Sequence, residues 1–137
     1  MQQFNVGNID NTATSTLPNA PQLGTASLIS TNDRRALNAV WRNNRLWTTA
    51  SILPVAGADA GQVTAHWWEL NTANLAAITV VQQGNVGGES IAPGAYTFFP
   101  SIMVDLDGNM GMGFAISAPT IYPSMGYTGR LATEPAG

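Results

Sequence analysis

The side chains best suited to binding a ligand lie in two similar stretches of the chain. His66, Trp68 and Glu69 fall close together in the first stretch, and Tyr122 and Arg130 belong to the second. Aromatic rings offer a flat apolar surface, and imidazole, carboxylate and guanidinium groups exchange hydrogen bonds with hydroxyl groups. These residues are therefore the predicted ligand-binding set, and a neutral glycan is the ligand that they favour.

The aromatic residues of the first stretch also have a structural interpretation. Trp67 and Trp68 are adjacent, so on a β-strand they point to opposite faces. If both faces are covered, both rings belong to the hydrophobic core. His66, the only histidine, is then a packed strand residue, and a zinc site around it would have to take its other ligands from carboxylates. Both interpretations stay open at the level of the sequence.

Asp105 and Asp107 are the candidate metal ligands, and the ion that they would favour is calcium. Two carboxylates and the amide of Asn109 supply oxygen ligands, but their spacing does not match an EF-hand loop. A hairpin turn whose side chains accept its own backbone amides explains the same residues. We therefore expect neither a resident metal ion nor another cofactor.

No catalytic signature is found in the sequence. The chain lacks a Gly-x-Ser-x-Gly nucleophile elbow, and it has no cysteine for thiolate chemistry. Asp105 and Asp107 are closely spaced carboxylates, but a turn explains them better than the acid pair of a glycosidase does. We therefore expect a protein that is not an enzyme.

Charged residues are scarce for a chain of 137 residues. They make up 9% of the sequence, there is no lysine, and the net charge is −3, while 45% of the residues are hydrophobic. A typical globular protein is about one quarter charged, and a disordered chain is rich in charge. The composition therefore indicates a folded domain with an uncharged polar surface, and the lack of a basic face argues against a nucleic-acid partner.

Neither a membrane segment nor a secretion signal is apparent in the sequence. No stretch reaches the roughly 18 apolar residues that a membrane helix needs. Residues 1–5 lack the basic and apolar regions of a signal peptide. We therefore expect no membrane partner for this chain, and no signal peptide within it.

Alternating apolar and polar residues predict seven β-strands in a group of four and a group of three. The first group covers residues 36–42, 45–53, 62–70 and 76–86, and the second covers 96–105, 110–117 and 125–131. Asn43-Asn44 and Asp107-Gly108-Asn109 predict hairpin turns, since these residues tolerate positive φ angles. Residues 118–124, with two prolines, are predicted to be a loop, and Phe4–Ile9 an additional short strand.

The pattern of strands repeats after about 60 residues, a period typical of β-propeller blades with large loops. We therefore predict an all-β fold, a β-propeller with about two four-stranded blades per chain. Residues 34–86 form the first blade, and 96–131 form a second blade that lacks its last strand. Residues 1–9 form a strand that completes a blade of this copy or of the next, so that 1–137 is one two-blade unit.

Four stretches of the sequence carry a family resemblance: Arg35–Thr49, Ala65–Leu70, Tyr96–Phe114 and Tyr122–Ala132. They resemble the repeats of large secreted bacterial β-propeller proteins, a mostly uncharacterised part of the sialidase-like propeller superfamily. The resemblance implies a propeller fold and a parent protein that is secreted or extracellular. It implies no particular activity, because the five arginines and the poorly matched turn at residues 104–108 fall short of a sialidase site.

Two blades are too few for a propeller, which typically has four to eight. Each blade packs against neighbours on both sides, so a pair of blades leaves two apolar faces for other copies to cover. We therefore expect a homo-oligomeric ring, a six-bladed trimer in the first instance, in which the chain is its own partner. The expected function is a self-assembling scaffold module, either a natural fragment or one engineered from a repeat protein. The alternative is a lectin-like module that binds neutral glycans at blade junctions.

Overall fold

The computed structural model describes residues 3–136, and its regular secondary structure consists of β-strands. The strands are β1 (Asn38–Arg42), β2 (Arg45–Ile52), β3 (Thr64–Asn71), β4 (Thr79–Val86), β5 (Tyr96–Val104), β6 (Met110–Ala118) and β7 (Ile121–Arg130). β1–β4 form an antiparallel first sheet and β5–β7 an antiparallel second sheet, each in sequence order. The prediction of an all-β chain is confirmed. In the described range there is no helix of the length and apolarity needed to cross a membrane.

Both predicted hairpin turns are present. Asn43 and Asn44 have φ angles of 50° and 60°, which fits the two-residue turn that matches the twist of the flanking strands. The turn between β5 and β6 is longer and contains Gly108, whose φ is 86°. The backbone N–H of Asp105 donates to the carbonyl of Asn109 at 3.0 Å and closes this turn. Because consecutive strands are neighbours, each sheet is a simple meander.

The predicted loop at residues 118–124 is wrong. A two-residue turn at Pro119-Thr120 ends β6, and β7 begins immediately after it. Pro123 lies inside β7, an edge strand, where proline is tolerated because a missing N–H can face away from the neighbouring strand. Pro100 lies in the other edge strand, β5, at a bulge beside Phe99, whose φ is 54°. Pro123 is therefore compatible with a strand that the sequence alone made improbable, and Pro100 with a strand that the sequence predicted.

The predicted strand at Phe4–Ile9 does not form in the single chain. Residues 1 and 2, where the predicted 1–9 element starts, lie outside the described residues. The N–H of Gly7 donates to Asn5 Oδ1 at 2.7 Å, and Gly7 has a φ of 82°, so a local turn breaks the extended run. The segment instead lies against the first sheet, where the carbonyl of Val6 accepts a 2.9 Å hydrogen bond from Gln83 Nε2.

Residues 10–36 are held to both sheets by hydrogen bonds. Asp10 accepts a 2.8 Å bond from the N–H of Leu53 and pairs with Arg34 at 2.6 Å. Ser117 Oγ in the second sheet donates to a carbonyl of this segment at 2.6 Å. A small apolar core is associated with it and contains Leu17, Ala20, Leu53, Val63 and Phe98. A stretch predicted from its composition to be a loop is thus a packed part of the structure.

The main core lies between the two sheets, which pack face to face. Because strand residues alternate between faces, β2, β3, β5 and β6 contribute alternate residues to it. The buried members include Trp47, Ala65, Trp67, Ile102, Met112, Phe114 and Ile116. Two hydrogen bonds also join the sheets: Thr49 Oγ1 donates to the carbonyl of Pro100 at 3.0 Å, and the N–H of Ile102 donates to Asn38 Oδ1 at 3.0 Å.

Two glycines make room for aromatic rings in this core. A methyl group on Gly126 would lie 2.5 Å from Cε2 of Phe114, and one on Gly84 would lie 2.9 Å from Nε1 of Trp67. Each glycine is directly opposite its aromatic partner on the neighbouring strand. The small residue is therefore required so that the ring can lie across the adjacent strand.

We predict that Gly126→Ala lowers the free energy of unfolding by about 1–3 kcal/mol, the usual cost of overpacking a core. The control is the same substitution in a Phe114→Leu chain, because the shorter side chain lacks the ring atoms that the methyl group would meet. There the added methyl group should cost little. Urea unfolding of the chains with and without Gly126→Ala checks the prediction, and an equal cost in both backgrounds would show that the contact with Phe114 is unimportant.

Candidate ligand-binding cleft

The structure distributes the five predicted ligand-binding residues over separate places. His66 and Trp68 lie on the outer face of β3, turned away from the second sheet. Glu69 lies on the inner face, opposite the core residue Trp47 on β2. Tyr122 and Arg130 lie near the two ends of β7. The five residues therefore do not form one site.

The polar groups of Glu69 and Arg130 are already bonded to other parts of the protein. The buried carboxylate of Glu69 accepts a 2.5 Å hydrogen bond from Gln82 Nε2 and lies 3.5 Å from Arg45 Nε. The guanidinium of Arg130 lies 5.7 Å from the centre of the Trp67 ring, within the range of a cation–π contact. It also donates to a carbonyl of the tail that follows β7 at 2.8 Å. Both residues have structural contacts that account for them.

Tyr122 lies against the segment of residues 10–36. A methyl group on Gly24 would lie 3.2 Å from Cε1 of the Tyr122 ring, so the ring packs closely on that glycine. Next to it, the N–H of Leu23 donates to the carbonyl of Ile121 at 3.1 Å. The contact explains Tyr122 as a residue that helps to position this segment.

Asp105 and Asp107 belong to the turn between β5 and β6. Asp105 Oδ1 accepts the N–H groups of Asp107 at 3.0 Å and of Asn109 at 2.8 Å, and Oδ2 accepts Asn109 Nδ2 at 2.8 Å. The hydrogen bond from the Asn109 side chain, helped by backbone amides, lowers the pKa of Asp105. Its carboxylate therefore serves its own turn. Within residues 3–136, no three His, Cys, Asp or Glu side chains come together as a metal site would require.

His66 and Trp68 form one side of a cleft on the outer face of the first sheet, here named the outer cleft. The centroids of their rings lie 4.3 Å apart, with the ring planes inclined by 63°. On the adjacent strand β4, Gln83 lies opposite Trp68 and Asn85 lies opposite His66. Residues 5–9 form the facing wall. The pairing of two strands and their alternation thus collect four side chains with hydrogen-bonding groups.

The outer cleft consists of two adjoining chambers. One has a volume of about 600 Å³ and is lined by Trp68 and Ile52 on the side of the sheet. The other has a volume of about 320 Å³ and includes His66 and Gln83 in its lining. Both are bounded by the same part of the facing wall, at residues 8 and 9. Volumes of this order are those of small-molecule sites.

Three buried polar atoms of the cleft residues have no hydrogen-bond partner within residues 3–136. They are His66 Nε2, Trp68 Nε1 and Gln83 Oε1. Buried polar atoms in folded proteins are nearly always hydrogen-bonded, so each exception requires an explanation. The fourth such atom of the described chain, Gln62 Oε1, belongs to the loop before β3. The unpartnered atoms are therefore concentrated in the outer cleft.

The hydrogen bond to Asn85 determines which nitrogen of His66 carries the proton. His66 Nδ1 lies 2.5 Å from Asn85 Oδ1, an amide oxygen that can only accept. Nδ1 is therefore the donor, and Nε2 keeps its lone pair. Burial lowers the pKa of His66, and the side chains of Asn85 and Gln83 and the charge of Asp10 oppose this effect only in part. Burial thus favours the neutral imidazole, and in the tautomer with the proton on Nδ1 its Nε2 is a hydrogen-bond acceptor.

Gln83 and Asn85 carry no motif that marks them in the sequence. They join His66 and Trp68 only through the register of β3 and β4, which a bulge between Glu69 and Leu70 shifts. The one indication in the sequence is that Gln83 and Asn85 are two positions apart on a strand and therefore share a face. The wall of residues 5–9 gave no such signal, because its approach to the sheet depends on a turn.

Comparison of the chain with protein-family models, with curated proteins and with solved structures found no match. The resemblance to secreted β-propeller repeats therefore stays a prediction. Two features of the described chain point to a function. One is the outer cleft, and the other is the outer face of the second sheet.

We predict that His66 makes the protein less stable as the solution becomes acidic. Its pKa is lower in the folded chain than the ordinary value of 6.5, so the unfolded chain binds the proton more readily. The contribution of His66 to the free energy of unfolding is therefore complete above pH 6.5. Below pH 6.5 the free energy of unfolding falls by up to about 1.4 kcal/mol per pH unit, until the pKa of His66 in the folded chain is reached.

Urea unfolding between pH 7.5 and pH 5, compared with the His66→Gln variant, measures this contribution. The variant has no group that titrates at this position, so its free energy of unfolding should decline less over the same range. The carboxylates are common to both proteins and cancel in the comparison. Parallel pH profiles would contradict the prediction.

Proposed function

We propose that this chain is a self-assembling module and that another copy covers the outer face of its second sheet. This face is the side of β5–β7 that is turned away from the first sheet. It exposes four large apolar side chains, namely Phe99 (42%), Met103 (67%), Met125 (88%) and Tyr127 (92%). Their exposure on one surface is the observation that carries the proposal, since contiguous apolar patches on soluble proteins mark sites of interaction.

The shape of this face suits a protein partner. The central strand β6 presents only small residues to it, at Gly111, Gly113 and Ala115. Met103 lies beside Gly111 on one flank, and on the other flank Tyr127 lies beside Gly113. The result is a groove between two rows of large side chains. Projecting apolar side chains of another copy can fill such a groove without strain.

The charge distribution of the second sheet supports the same partner. Its three strands contain one charged residue, Arg130, whose guanidinium is directed to Trp67 between the sheets. An antiparallel sheet that faces water on one side usually places polar residues there. Here the outward positions are apolar or small. A second copy of an equally uncharged chain is a partner that can cover them.

The closed assembly that we propose is a ring. The outer face of the second sheet of one copy packs on the β1 edge of the first sheet of the next, where Trp41 is exposed, and leaves the outer cleft over β3 and β4 open. A head-to-tail contact of this kind closes into a ring if its rotation allows. Three copies supply a six-bladed ring, inside the range of roughly four to eight that propellers have. Trp41, exposed on the edge strand β1, adds apolar surface to the first sheet.

The alternative function, a lectin-like module, rests on a separate observation. It depends on the three unpartnered polar atoms of the outer cleft. It does not depend on the apolar face of the second sheet. The two functions are therefore compatible in one protein.

We predict that the native mass of the purified chain is three times its chain mass of 14.4 kDa. Tyr127→Glu should place a carboxylate in the contact, and desolvation of that charge should weaken association at least about 100-fold, or about 2.7 kcal/mol. Light scattering coupled to size exclusion, over a range of concentrations, measures both.

Leu75→Glu is the matched control for this prediction. Leu75 is a similarly exposed apolar residue, but it lies in the turn between β3 and β4. Its variant should keep the mass of the unaltered chain. A mass of 14.4 kDa at all concentrations without any substitution would refute assembly, and a mass of two chains would replace the ring by a two-fold dimer.

A further inference from the structure

We propose that the outer cleft binds a neutral ligand rich in hydroxyl groups, of the size of a mono- or disaccharide. The proposal rests on the unpartnered atoms of His66, Trp68 and Gln83 and on the walls around them. It does not rest on assembly through the second sheet, since the cleft lies over β3 and β4, away from the contact proposed at the β1 edge.

The hydrogen-bonding groups of the cleft define the chemistry of the ligand. His66 Nε2 and Gln83 Oε1 accept, whereas Trp68 Nε1 donates. A carboxylate or phosphate ester dianion could pair with the indole N–H but could not donate to the two acceptors. An ammonium group could donate to the acceptors but would leave the indole without a partner. A hydroxyl group both donates and accepts, so adjacent hydroxyls can satisfy all three atoms.

The charges near the cleft are already paired, which favours a neutral ligand. Arg34 and Asp10 line the larger chamber, and their side chains form an ion pair at 2.6 Å. The Arg34 guanidinium also donates to the carbonyl of Asn11 at 3.0 Å, and Asp10 Oδ1 accepts the N–H of Leu53 at 2.8 Å. Neither side chain therefore offers an unpaired charge that would select an acidic or a basic ligand.

The apolar part of the lining suits the carbon skeleton of a saccharide. Trp68 and Ile52 bound the larger chamber on the sheet side, and Val6 and Ile9 bound it on the wall side. Sites of this kind combine mostly apolar walls with a few convergent polar groups, which set the orientation. A sugar has both an apolar C–H surface and hydroxyl groups at its edge. The two kinds of lining in the outer cleft match these two features.

The wall of residues 5–9 provides the route of entry. Within the described chain, the hydrogen bond from Gln83 Nε2 to the carbonyl of Val6, 2.9 Å long, is the one that joins this wall to a sheet. Such a segment opens locally at low cost. When it opens, the buried atoms of His66, Trp68 and Gln83 become accessible. A ligand hydroxyl can then also replace the carbonyl of Val6 as a partner of the Gln83 amide.

The experiment is a titration of the intact chain with neutral sugars, followed by NMR. The probes are D-glucose, D-galactose, D-mannose, N-acetyl-D-glucosamine and their common disaccharides, with D-glucuronate and D-glucosamine as charged counterparts. We expect a saturable shift of the indole N–H resonance of Trp68 with at least one neutral sugar. We expect weaker binding of its charged counterparts.

Two variants assign the binding to the outer cleft. Trp68→Phe keeps an aromatic ring but removes the donor, and Gln83→Leu removes an acceptor from the edge strand β4. Each should weaken the binding of the selected sugar about tenfold, because a polar partner in the cleft is lost. Gln22→Leu is the control, since Gln22 bonds to the carbonyl of Ser27 in another part of the molecule.

Three results would overturn the proposal. The first is the absence of a saturable shift with every neutral sugar at millimolar concentration, which would mean that water alone satisfies the three atoms. The second is binding that both variants leave unchanged, which would place the ligand elsewhere. The third is preferential binding of glucuronate or glucosamine, which would show that the site selects charge. Assembly of the chain is unaffected by each of these results, so the two proposals fail separately.

Discussion

The second sheet is apolar on both of its faces, and this constraint governs the architecture of the molecule. Its inner face carries Met112, Phe114 and Ile116 into the core that it shares with the first sheet. Its outer face carries Met125 and Tyr127, which no part of the described chain covers. A soluble two-layer protein that ended at this face would leave a large apolar surface in water. Residues 10–36 cover only one end of this face, around Phe98 and Ser117, and the single chain leaves the rest of it exposed.

The first sheet shows how the same chain covers an outer face when it can. Residues 5–36 lie against that sheet, reach one end of the second sheet, and bury a small second core with Leu53, Val63 and Phe98. The cover is incomplete over β3 and β4, and the outer cleft is the space that it leaves. The two proposals thus have a common origin. One face is covered imperfectly by its own chain and retains a polar cleft, and the other is the face that we propose another copy covers.

The sequence predicted those parts of the fold that local rules determine. Alternation located seven strands, and Asn43-Asn44 located a turn because its backbone angles are a local property. The errors concern segments in which the position of a residue in the sheet decides whether a strand forms. Pro123 is tolerated because β7 is an edge strand, and Gly7 turns the chain away from the predicted strand.

The candidate site was predictable only in part, because it depends on pairing between strands. His66 and Trp68 share a face by alternation, whereas Glu69, their neighbour in sequence, necessarily points to the other side. Gln83 and Asn85 reach the site through the register of β4, which no single residue encodes.

The most direct test of a covered outer face is the rate at which dilute peroxide oxidises individual methionines, followed by mass spectrometry. Met112, buried between the sheets, gives the rate of a protected residue. The account predicts that Met103 and Met125 react nearly as slowly as Met112 in concentrated solution and faster on dilution. Rapid oxidation of Met125 at every concentration would contradict it.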